Sequence, residues 1–381
     1  MIQNEIASVK AAERNYQMDN LKCLLIFAVV LGHMLELFMG KDDGLKVIYL
    51  IIYSFHMPLF AFISGVFARF SPEKIRNHLI YPYVVFQTLY LLFANHVLEK
   101  EAEVQFTTPY WLLWYLFASI AWNLLLPLVQ GSGFTLMKKA VALTAAFLAA
   151  ILIGFDNKAG YYLSVSRIVE FFPYFLMGAY YREWMDRRHR TGLFEKRTCS
   201  EGASFWERIR KQAARPAAVL CLGAVLCALI YVITENVDEI KYAWLYGSVS
   251  YDTGDYGWRF RLLSIGAALL WLVFFLAGIP ARKIPFLSYI GANTMPVYLL
   301  HGFLIKLMSK TRLFNEIEHD LAAGLLISAF LVAALSWKPL VRLVSPLMKW
   351  EGRLPSGIFR SRGGRRGGMR SGGPGRRMNL R

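Results

Sequence analysis

Apolar stretches long enough to cross a bilayer recur through almost the whole chain, and they leave few folds open to it. We read ten, at about 21–38, 47–68, 79–97, 110–130, 138–155, 165–181, 215–234, 260–279, 286–308 and 320–345. A hydrocarbon core about 30 Å thick needs roughly 20 apolar residues of helix, and a helix satisfies its own backbone in lipid. The expected class is an all-α polytopic membrane protein with about ten transmembrane helices. Charged residues, 18% of the chain, fall in blocks between the stretches. With the N-terminus in the cytoplasm, the inner segments hold 29 Lys and Arg and the outer ones 7. Basic residues collect on the cytoplasmic side, so both termini are expected there. The net charge of +17 then reports topology, and no nucleic-acid partner is expected.

The expected organisation is a cytoplasmic segment 1–20, a ten-helix membrane domain 21–345, and an Arg/Gly-rich cytoplasmic tail 346–381. The domain includes a basic inner loop 182–216 and an acidic, aromatic outer loop 235–258. The tail has too little to bury and is expected to be disordered; tail and inner loop are expected to meet anionic lipid. The first run lacks a small-residue cleavage site and reads as a retained anchor. Three of the four cysteines lie in apolar runs and one in a basic loop, so no disulfide framework is suggested, and no metal-ligand cluster is present.

The first stretch carries four ionisable groups: Asp19, Lys22, His33 and Glu36. At about 100° per residue, Lys22 and His33 point within roughly 20° of each other, and His33 lies about 16 Å deeper. Asp19 and Glu36 fall near the same stripe. A histidine at mid-bilayer in line with a lysine is a functional-site candidate. A lysine near a helix end also snorkels to the headgroups for no other reason, and a lone intramembrane histidine also glues helices.

Further candidates lie along the chain. The second stretch holds His56, then Pro58, which loosens a helix, then Ser64 and Gly65, which allow close helix approach. Arg69, Lys74 and Arg76 follow beside His78. That cluster suits the phosphates of a nucleotide-like donor; it also suits topology alone. Trp111 and Trp114 read as an interfacial belt or a sugar-stacking platform. Arg167 and Glu170 can pair on one helix face. Asn293, Tyr298 and His301 surround Pro296 in the ninth stretch. Polar groups within proline-interrupted spans fit a polar cavity through the bundle.

At these residues the sequence resembles the acyltransferase 3 family of integral-membrane acyltransferases, closest in look to its fucose 4-O-acetylase-like sugar O-acetyltransferases. The resemblance rests on Lys22 and His33 with ten residues between, Phe55–Gly65, Trp111–Leu116, Phe171–Gly178 and Val297–His301. It implies transfer of an acetyl or other short acyl group from cytoplasmic acyl-CoA to a hydroxyl of an extracytoplasmic or lipid-linked glycan, at the bacterial cytoplasmic membrane. Acyl-CoA is then a substrate, and no bound cofactor or metal is expected. The first-stretch basic residue is Lys where many relatives have Arg, and Lys74-Ile-Arg76 stands where an Arg-x-x-Arg is common. On this reading His33 is the general base and Lys22 attracts the donor or polarises its carbonyl. Arg69, Lys74, Arg76 and Ser64 hold the donor. His56, Trp111, Trp114, Arg167, Glu170, Asn293, Tyr298 and His301 line the cavity or the acceptor path. The alternative is a transporter or flippase for a glycan or lipid-linked substrate, for which internal repeats are expected and none is visible.

Overall fold

The computed structural model describes residues 14–38, 43–131, 133–160, 162–190, 205–311 and 320–350, with the side chains of 188–190, 205–215 and 320 left out. Residues 1–13, residues 191–204 within the basic loop 182–216, and the tail beyond 350 lie outside the described residues, and with them the expected disorder and lipid contact of the tail. Among the described residues every regular element is helical. In chain order these are α1 (Tyr16–Leu35), α2 (Asp43–Phe67), α3 (Pro72–Ile75), α4 (Tyr81–His96), α5 (Trp114–Val129), α6 (Leu136–Leu152) and α7 (Val165–Arg190). There follow α8 (Phe205–Glu235), α9 (Tyr251–Gly254), α10 (Trp258–Gly278), α11 (Pro285–Ala292), α12 (Thr294–Lys310), α13 (Asp320–Leu335) and α14 (Lys338–Met348).

Helix α1 is the central column. Asn15 caps it, its side chain accepting from the Met18 amide at 3.1 Å. Helices α2, α11, α12 and α13 all pack on it, so most of its residues are buried. Its N-terminal end is pinned by polar contacts. Asn20 donates to the carbonyls of Pro280 and Arg282, each at 3.0 Å, and accepts from Ser288 at 2.7 Å. Gln17 donates to Leu276 and Ile279. Buried polar side chains are tolerable there because each meets a backbone partner.

The broadest helix contact is between α2 and α7. Two glycines permit it: a Cβ on Gly65 would lie 1.8 Å from the Phe175 carbonyl oxygen, and one on Gly178 would lie 1.9 Å from that of Phe62. The backbones touch, as small residues allow between membrane helices.

All ten expected stretches contain helix. Among the described residues six helices are long and apolar enough to cross a membrane, and α13 with α14 forms a seventh candidate bent by 70°. Helices such as α8, α10 and α13 turn large apolar side chains outward, among them Leu220, Leu263 and Phe330, as a lipid-facing surface requires. The chain is a multi-pass membrane protein. The sequence and the fold differ in three places. Segment 69–78, expected as a loop, is helical from Pro72: Ser71 caps α3, and a π-helical turn, Arg76–Ile80, runs straight into α4. The ninth stretch is broken at Asn293 (φ −117°, ψ 35°) rather than at Pro296. Pro296 sits in the first turn of α12, where a missing N–H leaves no bond unmade. The tenth stretch turns sharply after Leu335.

Candidate active site

A cavity of about 640 Å³ runs beside α1. Lys22, Arg69, Lys74 and His78 line one end; His33, Tyr53, His56 and Trp111 line the middle; Glu36, Arg167 and Tyr246 line the other end. Lys22 and Glu36 are about 21 Å apart along the α1 axis, so the space extends through much of a bilayer's thickness. Ser64, Trp114 and Tyr298 also face it. Lys22, His33 and Glu36 of the stripe read from the first stretch therefore share one wall of this cavity, and Asp19 lies behind it.

At the cationic end, Lys22 Nζ lies 2.8 Å from Asp19 Oδ1 and 4.8 Å from the centre of the Phe67 ring. Asp19 is itself buried and bonded to Arg14 at 2.6 Å. The carboxylate thus sets the position of the Lys22 ammonium and neutralises part of its charge. Arg76 does not line the cavity: its Nε donates to Asn77 Oδ1 at 2.9 Å. Lys74, two residues earlier on the adjoining helical turn, does line it.

In the middle, His33 Nδ1 lies 3.1 Å from Glu36 Oε1. The same oxygen accepts from Tyr49 at 3.1 Å and from Tyr53 at 2.9 Å, and Tyr49 shares a 2.7 Å bond with Tyr246. Glu36 is therefore the hub of a network joining α1, α2 and the 242–246 turn. With Nδ1–H donating to the carboxylate, Nε2 of His33 carries the lone pair and can take a proton. His56 and His301, in the second and ninth stretches, are wired differently. His56 and His301 each donate Nδ1–H to the carbonyl four residues back, Ile52 and Val297, at 2.8 Å. His301 does not line the cavity; it is buried and stacked on His33 with ring centres 5.5 Å apart. Of the three, only His33 has a carboxylate partner among the described residues.

Trp111 also lines the middle, its ring centre 4.7 Å from that of His33 in an edge-to-face arrangement. Its backbone has φ +40°, uncommon for a bulky side chain. The segment before it is held by buried Gln87, which donates to Gln105 and Thr108 and accepts from the Tyr110 amide. Tyr83 adds a bond to the Phe106 carbonyl at 2.7 Å. Lys306 Nζ lies 4.2 Å from the centre of the Trp111 ring, a cation–π contact that helps fix the ring. Tyr298 donates to the Leu112 carbonyl, and Tyr115 bonds Ser64 at 2.5 Å.

At the far end, Arg167 donates to the Tyr246 carbonyl at 3.0 Å and to Ser248 at 3.2 Å, with its guanidinium 5.0 Å from the centre of the Trp114 ring. Glu170 lies outside the cavity lining and forms a buried ion pair with Arg261 at 2.8 Å. Arg261 also bonds Tyr256 and the Ala150 carbonyl, so the pair ties the segment around Tyr256 to the bundle. Asn293 too lies outside the lining; it donates to Tyr289 at the break between α11 and α12. Sequence reasoning put Glu36 on the stripe but missed its partners Tyr49, Tyr53 and Tyr246. An aromatic repeat at Tyr49 and Tyr53, four apart on one face of α2, is the signal that could have found them.

The family model described as "Acyltransferase domain" matches residues 15–338. The nodulation protein NolL of Sinorhizobium fredii (strain NBRC 101917 / NGR234) is 26% identical over an aligned length of 211, a match that covers 50% of this chain and 54% of that relative. The chain thus spans about half the length of the curated relative it matches. No solved structure matches it significantly.

Proposed function

This chain belongs to the acyltransferase 3 family, whose model spans most of it, and on that premise we propose that it is a membrane O-acyltransferase. It takes a short acyl group, most simply acetyl, from acyl-CoA on the cytoplasmic side and transfers it to a hydroxyl of an extracytoplasmic or lipid-linked glycan. The excess of Lys and Arg in the segments expected inside gives the cavity its orientation on this reading, with Lys22, Arg69 and Lys74 facing the cytoplasm. One observation carries the reading: a single cavity joins a cluster of cations to a carboxylate-held histidine.

The chemistry follows from those groups. Arg69, Lys74 and Lys22 attract the donor's phosphates, and charge-assisted bonds hold them. The acyl-bearing arm then extends along α1 towards His33. A sugar hydroxyl is too weak an acid to attack a thioester unaided. His33 Nε2 takes its proton as the oxygen bonds to the carbonyl carbon, and Glu36 stabilises the imidazolium that forms. Collapse of the tetrahedral intermediate breaks the carbon–sulfur bond. The thiolate leaves with a proton returned from His33, and the ester remains on the acceptor. The acceptor approaches from the Arg167 and Tyr246 end, past Trp114 and Trp111, whose rings suit the apolar faces of a sugar.

Purified full-length protein, incubated with acyl-labelled acyl-CoA and a membrane glycan fraction, tests this. Label should appear in alkali-labile ester on the glycan. Movement of glycan or lipid-linked sugar across proteoliposomes with no label transferred would contradict it.

A further inference from the structure

Helix α14 has no part in the chemistry above, yet its surface is built for a particular place. After Leu335 the chain turns by 70°, so the segment leaves the direction of α13. At helical spacing its residues divide into three faces. Val344 and Met348 pack into the bundle beside Tyr83 and Leu299. Lys338 and Arg342 occupy a second face, exposed and without an acidic partner among the described residues. Leu343, 75% exposed, and Leu347 form the third, with exposed Trp337 and Trp350 at the two ends. Residues 338–350 include Lys338, Arg342 and Lys349 and no acidic side chain.

Water disfavours the leucine face, and hydrocarbon disfavours the cationic one. The boundary between them suits both, and tryptophans favour that depth. The helix is also tied to the cationic end of the cavity. Tyr81 donates to the Pro346 carbonyl at 3.1 Å, and the Trp350 amide donates to the Asn77 carbonyl at 3.0 Å. Asn77 belongs to the π-helical turn that carries His78 into the cavity wall.

We propose that α14 is an interfacial helix that docks on the anionic headgroups of the bilayer at the cation-lined end of the cavity. Leu343 and Leu347 dip towards the acyl chains, and Lys338 and Arg342 rest on the phosphates. Charge complementarity selects an anionic surface, and the helix's continuity with α13 puts it within reach. The proposal stands apart from the acyl-transfer reading, since it needs no reaction.

The test is spin-label depth measurement on the full chain in lipid nanodiscs, with the four native cysteines replaced by alanine. Labels at Leu343→Cys and Leu347→Cys should show one shared depth, reached by oxygen and shielded from an aqueous nickel chelate. A straight tenth span would separate them by about 6 Å along the membrane normal, and that result overturns the proposal. So does full exposure of both labels to the chelate. Discs containing phosphatidylglycerol should hold the labels deeper than discs of phosphatidylcholine alone, and Lys338→Glu with Arg342→Glu should erase that difference. Equal depth in the two lipids would overturn the anionic preference, whether or not the charge-reversed variant folds.

Discussion

Glu36→Gln keeps a hydrogen-bonding side chain beside His33 but removes the negative charge that steadies the protonated ring. Its amide can also present an N–H to Nδ1, which favours the wrong tautomer. Transfer should fall by about 10-fold to 10⁴-fold, the span between a weakened and a lost base, while KM for acyl-CoA stays near wild type. Steady-state kinetics on protein with an unchanged thermal midpoint check this. Tyr53→Phe, which removes one of three donors to Glu36, should cost less. Wild-type turnover in Glu36→Gln would take the carboxylate out of the account. The spacing of Lys22 and His33 was legible in the sequence, because both lie on one helix and periodicity fixes their relative direction. The Tyr49 and Tyr53 contacts were not, because periodicity within α2 does not say which of its faces meets α1.

At the scale of elements, the α2–α7 crossing depends on two side-chain hydrogens. Gly65→Ala or Gly178→Ala sets a methyl against a backbone carbonyl that cannot turn aside. Each should destabilise by about 3 kcal/mol or more, the upper end for overpacking, and lower the thermal midpoint in detergent. Alanine tolerated at both positions would show that the helices are not in backbone contact. The small-residue signal at Ser64 and Gly65 was readable, and so was Gly178 within the family-like Phe171–Gly178 segment; their pairing was not. The cation cluster shows the opposite limit. The sequence grouped Arg69, Lys74 and Arg76, but the π-helical turn Arg76–Ile80 changes which residues of that segment face inward. A one-residue widening of a helix has no signature in composition or spacing. Charge reversal at Arg69 or Lys74 should therefore raise KM for acyl-CoA by about 10-fold or more, a lost charge-assisted bond being worth about 1.5–3 kcal/mol. Arg76→Glu should stay within about twofold. Equal effects at Lys74 and Arg76 would point to a general field rather than contacts.

For the whole molecule, the apolar stretches announced a helical membrane protein, and every one of them contains helix. The breaks at Asn293 and after Leu335 were less visible, because an apolar run reads alike whether it is straight or bent. The cavity itself is a property of the assembled bundle: α1, α2, α5, α7 and α12 each supply part of its wall. What the sequence offered was the list of polar groups that would be costly in lipid without such a space.

The central claim is that His33, held by Glu36, takes the acceptor's proton inside that cavity. The most direct measurement compares acyl transfer by wild type and His33→Ala, each purified full length, with matched thermal midpoints and saturating acyl-CoA. The account predicts that the variant still binds acyl-CoA with near-wild-type affinity and transfers at least about 10²-fold more slowly, the lower bound for loss of a general base. A folded His33→Ala protein that acylates glycan at the wild-type rate would contradict it.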